Sequence, residues 1–389
     1  AYAYGTRAAP GDTILVKPGI YTEFKPSYGI HLHRDGTAAA PFILRSETKW
    51  GAIIDKQTSA AVTSPYDGKA VSGFVVSGDY HIIDGFEIRN SVKDGMHVWS
   101  SYNKIINNHI HHNGTYGDPN YSYGHDGISE GGSTSPSQYG NQYVGNHIHH
   151  NGRPSCLGGT PCNLDHGIYG YGDNDLLANN IITDNSAYGI IVAGHGVASN
   201  WKIYNNVLAW NGRSGIDLWR TMDGIDIKNN IFYKNGWYGV DSYNADGSPN
   251  GVLDVVFDTN FFFGNPMGTI RKSQSGAHSS YSYERRTEYT SNPLFINERT
   301  AFRLQSASPA RDVVLSLAPN VTTAFAGVSR PQGVQYDIGA YEYVGSASTP
   351  AFDFALSNGG ARSVTQGAVI ANTVTATLSA GTAQSVAFS

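Results

Sequence analysis

Charge is scarce in this chain. Asp, Glu, Lys and Arg make up only 15% of its 389 residues, while 12% are aromatic and 46 are glycine. That balance argues against a charge-laced helical protein and for a β-rich extracellular one. No run of Lys or Arg stands out and the formal net charge is −5, so no nucleic-acid partner is expected. Attraction for a polyanion would have to be local, from a few Arg or Lys or from a bound cation. No apolar run approaches the roughly 18 residues of a membrane span. No signal peptide is visible either, although the opening AYAYGTRAAPGDTILVKPG reads as if a leader had been removed. Cysteine is nearly missing. The two present, Cys156 and Cys162 in CLGGTPC, lack a metal-type C-x-x-C spacing. A disulfide across that short loop, and with it an oxidising compartment, is the preferred reading over two free thiols.

What the chain has instead is repetition. Glycine followed by an aliphatic residue recurs in DGMHVW, HDGISE, LDHGIYGYG, AYGIIV, SGIDLW and YGVDSY, with the glycines at 95, 127, 167, 189, 215 and 239. Between these phrases stands a second one built on Asn, such as NNHIHHNG, ANNIITDN and KNNIFYKNG. Its second Asn falls at Asn108, Asn146, Asn180, Asn206, Asn230 and Asn260. Self-similarity at a period near 22–26 residues marks a solenoid. Each period holds short runs that alternate apolar and polar, bounded by Gly or Asn, with no sustained helical stripe. A parallel β-helix is the expected architecture, with Asn side chains forming internal ladders from coil to coil. The glycines are most simply read as turn requirements.

Alternation assigns faces. The residue after each glycine (Met96, Ile128, Ile168, Ile190, Ile216, Val240) is apolar and should point inward. The next (His97, Ser129, Tyr169, Ile191, Asp217, Asp241) should point out, as should those two further on, among them Trp99, Tyr171, Trp219 and Tyr243. One long outer face would then carry acids and aromatics in file, with coils about 4.8 Å apart. On the Asn strands, His109 aligns with His147 and His111 with His149. Such clustering is what a metal site needs, but stacked polar rungs are the plainer expectation. His112 and His150 are expected at turns.

Long Tyr-rich insertions near residues 114–125 and 131–143, with the Cys loop, should wall a groove beside the Gly strand. Residues 11–92 read as the opening coils. SNPLFINERTAFRLQSASPARDVV and YDIGAYEYVG read as a segment covering the open end of the solenoid. The expected division is a β-helix over 1–345, a linker over 346–352, and part of a β-sandwich (Ig-like) module over 353–389. Further C-terminal modules would fit that reading.

PGDTILVKPGIYTE, SPARD and DIGAYEY resemble the opening and closing segments of the secreted right-handed parallel β-helix proteins of the pectate lyase-like superfamily, over roughly residues 10–344. The resemblance implies the fold more specifically than any one activity. SGIDLW is similar to the D-G-F-D-L-W motif of one calcium-dependent pectate lyase family, which makes Asp217 the position matching a calcium-binding Asp. The other acids of that motif are replaced here by NGRS, and WYGVDSYN carries no matching Lys. There is also a weaker resemblance to polygalacturonases: HDG offers Asp126, LDHG offers Asp165 with His166, and AGHG offers His195, displaced from the strand.

Three functions follow as alternatives. The first is elimination on a uronate polymer by a secreted enzyme, expected to be monomeric. It needs a group that neutralises the substrate carboxylate, a base for the C5 proton, and a donor to the leaving oxygen. Asp126, Asp165, His166, Arg213, Asp217 and Arg220 are the candidate catalytic residues. His97, Trp99, His125, Tyr169, Tyr171, His195, Trp219, Asp241 and Tyr243 are the candidate sugar contacts. Calcium is a candidate cofactor, held by Asp165, Asp217 and Asp241. The second alternative is a hydrolase using Asp126 with Asp165, or Asp165 with Asp217, at ~5–9.5 Å. The third is a glycan-binding or adhesive β-helix without catalysis. Asp before Gly also has an ordinary turn role.

Overall fold

Strand pairing follows the glycine phrases. Met96 lies opposite Ile128, Ile128 opposite Ile168, and Ile168 opposite Ile190. Ile216 and Val240 continue the column, all in parallel register. This is a parallel β-helix, seen in a computed structural model. It describes residues 4–5, 7–22, 29–56, 72–115, 124–131, 139–154, 164–243, 252–272, 283–317, 321–345, 352–360, 363, 367, 369, 371 and 373–381. On the Gly strands, residues 194–197, 220–221 and 243 are described by backbone alone. The coils form an 18-stranded and a 10-stranded parallel sheet. The larger sheet contains two ladders, joined where the strands Ile190–Ser199 and Ile216–Lys228 run through both.

The interior is one apolar column. Met96, Ile128, Ile168, Ile190, Ile216 and Val240 are all fully buried, and the Asn-strand residues Ile110, Ile148, Ile182, Leu208 and Phe232 meet them across the coil. Two amide ladders border this column. In the first, each Nδ2 from Asn108 to Asn230 donates to the Oδ1 of the next coil's Asn at 2.9–3.2 Å, ending at Asn260. The second runs in the same way from Asn113 through Asn151, Asn185, Asn211 and Asn235 to Asn265 at 3.0–3.1 Å. Every buried amide thus has partners above and below, as burial requires.

The phrase glycines are not turn residues: none of the six has a positive φ. They are required by close approach. A Cβ on Gly95 would stand 2.5 Å from Ile110 Cγ2, 2.6 Å from the Gly127 carbonyl and 2.8 Å from Asn113 Nδ2. Left-handed geometry falls instead on the residue before each ladder Asn, at Asn107, Gly145, Asn179, Asn205, Asn229 and Thr259, and on His112 and His150 at the opposite corner.

The closing segment, expected over the open end, is seen among the described residues on the flank of the coils. Phe295, Phe302, Leu304 and Ile338 pack on the flank of the 10-stranded sheet, against Ile181, Val207, Ile231 and Phe261. These four are the outward positions of that sheet, and they are apolar where the earlier coils carry His109 and His147. An apolar outer file has to be buried by something, and residues 293–341 do so. The buried ion pair of Arg330 with Glu342 (2.7 Å) and the donation from Arg330 Nη2 to Asn179 Oδ1 (3.1 Å) fix the segment in place.

The chain divides into two compact units, Ala1–Tyr343 and Val344–Ser389. In the second, Phe352–Asn358 pairs antiparallel with Val374–Gly381. No described helix is long and apolar enough to cross a membrane.

Candidate functional site

Outward positions on the Gly strands form one file. Ser129, Tyr169, Ile191, Asp217 and Asp241 follow one another in register, and the next coil adds Arg271 opposite Asp241. The outward assignment holds, but not solvent exposure. Asp217 is 3% and Asp241 0% exposed, and Ser129 and Ile191 are also buried. Two carboxylates on adjacent coils repel each other and lose hydration, so they need compensation. Arg271 supplies it for Asp241, with Nε donating to Oδ1 at 2.6 Å and Nη2 to Oδ2 at 2.7 Å. Even so, burial keeps the Asp241 carboxyl above its ordinary range, against the lowering effect of Arg271.

A second file occupies the slot before each glycine: Asp94, Asp126, His166, Tyr188, Ser214 and Tyr238, linked by the backbone bonds of the glycines. The Arg213 guanidinium lies 4.3 Å from the Trp237 ring centroid and 5.6 Å from that of Tyr188, and Nη1 donates to the Tyr188 hydroxyl at 3.4 Å. Burial, and then the charge of Asp217, push the Tyr188 phenol upward, so it is a proton donor at neutral pH. The His166 ring lies 5.5 Å from that of Tyr188 and 6.0 Å from that of Tyr169. It is fully buried, and neither ring nitrogen has a hydrogen-bond partner among the described residues. Burial lowers its pKa to about 3, so the imidazole is neutral at neutral pH and a weak base.

The remaining acids serve the coil. Asp94 Oδ1 accepts the Asp126 N–H at 3.1 Å, and Asp126 Oδ1 accepts the His166 N–H at 2.8 Å, so both act as ladder rungs. Burial and then the charge of Asp94 raise Asp126 well above the usual carboxylate range. Asp94 itself is held at about 2: burial opposes ionisation, but Lys93 and the 2.9 Å bond from His97 Nδ1 outweigh it. Asp165 takes both Nε (2.7 Å) and Nη2 (2.8 Å) of the buried Arg153, and its Oδ1 accepts the His125 N–H at 3.2 Å. That closed ion pair explains its conformation without substrate.

The proposed calcium trio is therefore not assembled. Among the described residues, no three His, Cys, Asp or Glu groups converge on this face, and Asp165 and Asp241 each have both oxygens bound to an arginine. Calcium prefers six to eight oxygens, and these donors do not fit it. The guanidinium of Arg271 occupies the place where a cation would stand.

Of the aromatic candidates, Trp99 is 45% exposed with its ring against His97, and Tyr169 and Trp219 are half-buried. Tyr171 is buried, because its N–H donates to the internal Glu130 Oε2 at 3.0 Å and turns the chain inward. The side chains of His195, Arg220 and Tyr243, both cysteines, and most of the two Tyr-rich insertions lie outside the described residues. Sequence reasoning missed Tyr188, Trp237 and Arg271. Tyr188 shares the pre-glycine slot with His166. Arg271 was hidden because Thr269 replaces the glycine of its coil.

A family described as the right-handed β-helix region matches residues 166–253. Pectate lyase L of Dickeya chrysanthemi is 26% identical over 262 residues, 59% of either chain. Pectate lyase L of Dickeya dadantii (strain 3937) is 32% identical over 109 residues, covering 27% of this chain and 24% of that protein. This chain thus matches less than two thirds of either curated relative. Among solved structures, pectate lyase Pel9A superposes with a TM-score of 0.55 at 18% identity, over 87% of this chain and 90% of that one.

Proposed function

We propose that this pectate lyase-like, right-handed parallel β-helix is a secreted polysaccharide lyase that cleaves a uronate polymer along its Gly-strand face. The observation that carries the reading is the cationic and proton-exchanging group beside Asp217. Arg213 is held between Tyr188 and Trp237, and His166 packs against Tyr188 one coil earlier. A guanidinium, a phenol and ring faces gathered on one face are groups that elimination on a uronate needs.

Roles follow from the chemistry. Arg213 neutralises the uronate carboxylate and so acidifies the C5–H bond. The C5 proton passes to a base at this face, the C4–C5 double bond forms as the C4–O bond breaks, and Tyr188 O–H protonates the departing oxygen, with the His166 ring packed against Tyr188. Trp99, Tyr169 and Trp219 offer ring faces to neighbouring sugars. The lyase relatives support elimination over hydrolysis, and so does the rung role of Asp94 and Asp126.

The test is incubation with pectic, alginate and neutral polysaccharides, with calcium or with chelator, following reducing ends and the ultraviolet absorbance of an unsaturated uronate. Both signals together, lost in His166→Ala and Tyr188→Phe, support the proposal. Reducing ends without absorbance identify a hydrolase. Binding with neither signal identifies a glycan-binding protein. Loss of activity in chelator would return calcium to the site.

A further inference from the structure

The opposite side of the solenoid carries a histidine array that the lyase reading does not use. Strands His109–His111 and His147–His149 pair in register, so their isoleucines point inward and four imidazoles point out. His109 stacks on His147 at 5.1 Å and His111 on His149 at 5.0 Å, with ring planes 8° and 4° apart. The diagonal is closer still, with His109 Nε2 and His149 Nε2 2.7 Å apart. Ring nitrogens of His109, His147 and His149 all lie within 4.8 Å of one another.

We propose that His109, His147 and His149 bind one divalent transition-metal ion of the zinc class on the outer face of the 10-stranded sheet. Zinc–nitrogen bonds of ~2.0–2.1 Å put tetrahedral ligand nitrogens roughly 3.3 Å apart, within small ring rotations of this geometry. The metal replaces the proton shared by His109 and His149, and a water completes the shell. Support from the second layer is already built. His149 Nδ1 lies 2.8 Å from His150 Nδ1, an outer contact on the ring edge away from Nε2. The Trp50 ring stands 4.6 Å from His109 and 6.2 Å from His147, and Phe325 stands 6.3 Å from His147, forming an apolar wall. The nearby charges are Glu87, which faces His111 at 3.3 Å, and the cations Arg89, paired with Glu87, and Lys49, over Trp50. Two cations and no carboxylate among the three ligands disfavour a hard, oxygen-seeking ion such as calcium. Imidazole nitrogen favours zinc, cobalt, nickel or copper.

The experiment is titration of the purified chain with Co²⁺, read by its visible absorption, and then with Zn²⁺ in competition. One equivalent of tetrahedral cobalt spectrum, displaced by zinc but not by excess calcium, is expected. Zinc should also raise Tm, as a ligand of the folded state does. His149→Ala and, independently, His109→Ala should weaken binding more than the ~10–100-fold of an outer-layer loss. His112→Ala should bind as the parent does. Absence of the cobalt spectrum in the parent chain, or an unchanged affinity in both ligand variants, would overturn the site. Polysaccharide cleavage is not a readout, so the lyase reading and the metal site stand or fall separately.

Discussion

Arg271 grips both carboxylate oxygens of Asp241 across one coil step, at 2.6 and 2.7 Å, while Asp217 stands in register on the other side of that carboxylate. Removing the guanidinium leaves a fully buried carboxyl without its counter-charge. Arg271→Ala is expected to cost roughly 2–4 kcal/mol at neutral pH, below the range for a wholly buried pair because the Arg271 side chain is 33% exposed. Burial already raises the Asp241 carboxyl, and the variant raises it further. A raised acid favours the fold when protonated and loses that advantage as pH rises. The deficit should therefore be small near pH ~3 and grow toward pH ~7. Denaturant curves at both pH values check it, and a deficit independent of pH contradicts it.

Asp126 separates a structural carboxyl from a catalytic one. It is raised well above its ordinary range by burial and then by Asp94, so the fold favours its neutral form. Asp126→Asn keeps an oxygen for the His166 N–H. Its stability at neutral pH should lie within about 1 kcal/mol of the parent, and elimination should persist. A loss of turnover with an unchanged Tm would restore Asp126 as a catalytic acid and with it the hydrolase reading.

The amide ladders predict a sharp contrast. Asn206 Oδ1 accepts from both the backbone N–H and Nδ2 of Asn180, and its own Nδ2 reaches the Leu177 carbonyl and Asn230. Asn206→Ala orphans buried groups on two coils and should cost at least about 2 kcal/mol. Lys202→Ala on an exposed strand position should stay within about 0.5 kcal/mol. Chemical denaturation of the two variants side by side gives the answer.

Much of this was legible in the sequence. The glycine and Asn registers identified the coils, because a solenoid repeats the same local demand at each turn and the demand leaves a residue type behind. The side of the coil was legible from alternation, which put Met96 in and Asp217 out. Burial was not: Asp217 and Asp241 face out and are still buried, and the partner of Asp241, Arg271, comes from the next coil. The same limit hid the partners. Nothing in LDHG shows that Arg153 holds Asp165, and only the fold places Phe302 on Ile231. Yet the flank could have been read from ANNIITDN, YNNVLAWNG and KNNIFYKNG. There both alternating sets are apolar, so both faces of the strand need cover.

Arg213 offers the most direct test of the proposed chemistry. Its planar guanidinium is held by the Trp237 face at 4.3 Å and the Tyr188 ring at 5.6 Å, an arrangement an ammonium cannot reproduce. Arg213→Lys keeps the charge but loses the stacking and the fork that would meet a uronate carboxylate on two oxygens. With the charge retained, the fold should survive with a Tm close to that of the parent. Losing one bidentate, charge-assisted contact in the transition state is worth about 1.5–3 kcal/mol, or roughly 10–100-fold in kcat/KM. Arg213→Ala should be worse on both counts, because it also removes a positive charge that lowers the proton affinity of Asp241 alongside Arg271. If Arg213→Lys instead eliminates at the parent rate with an unchanged KM, Arg213 is a structural brace for Tyr188 and Trp237, and the substrate carboxylate is neutralised elsewhere on the file.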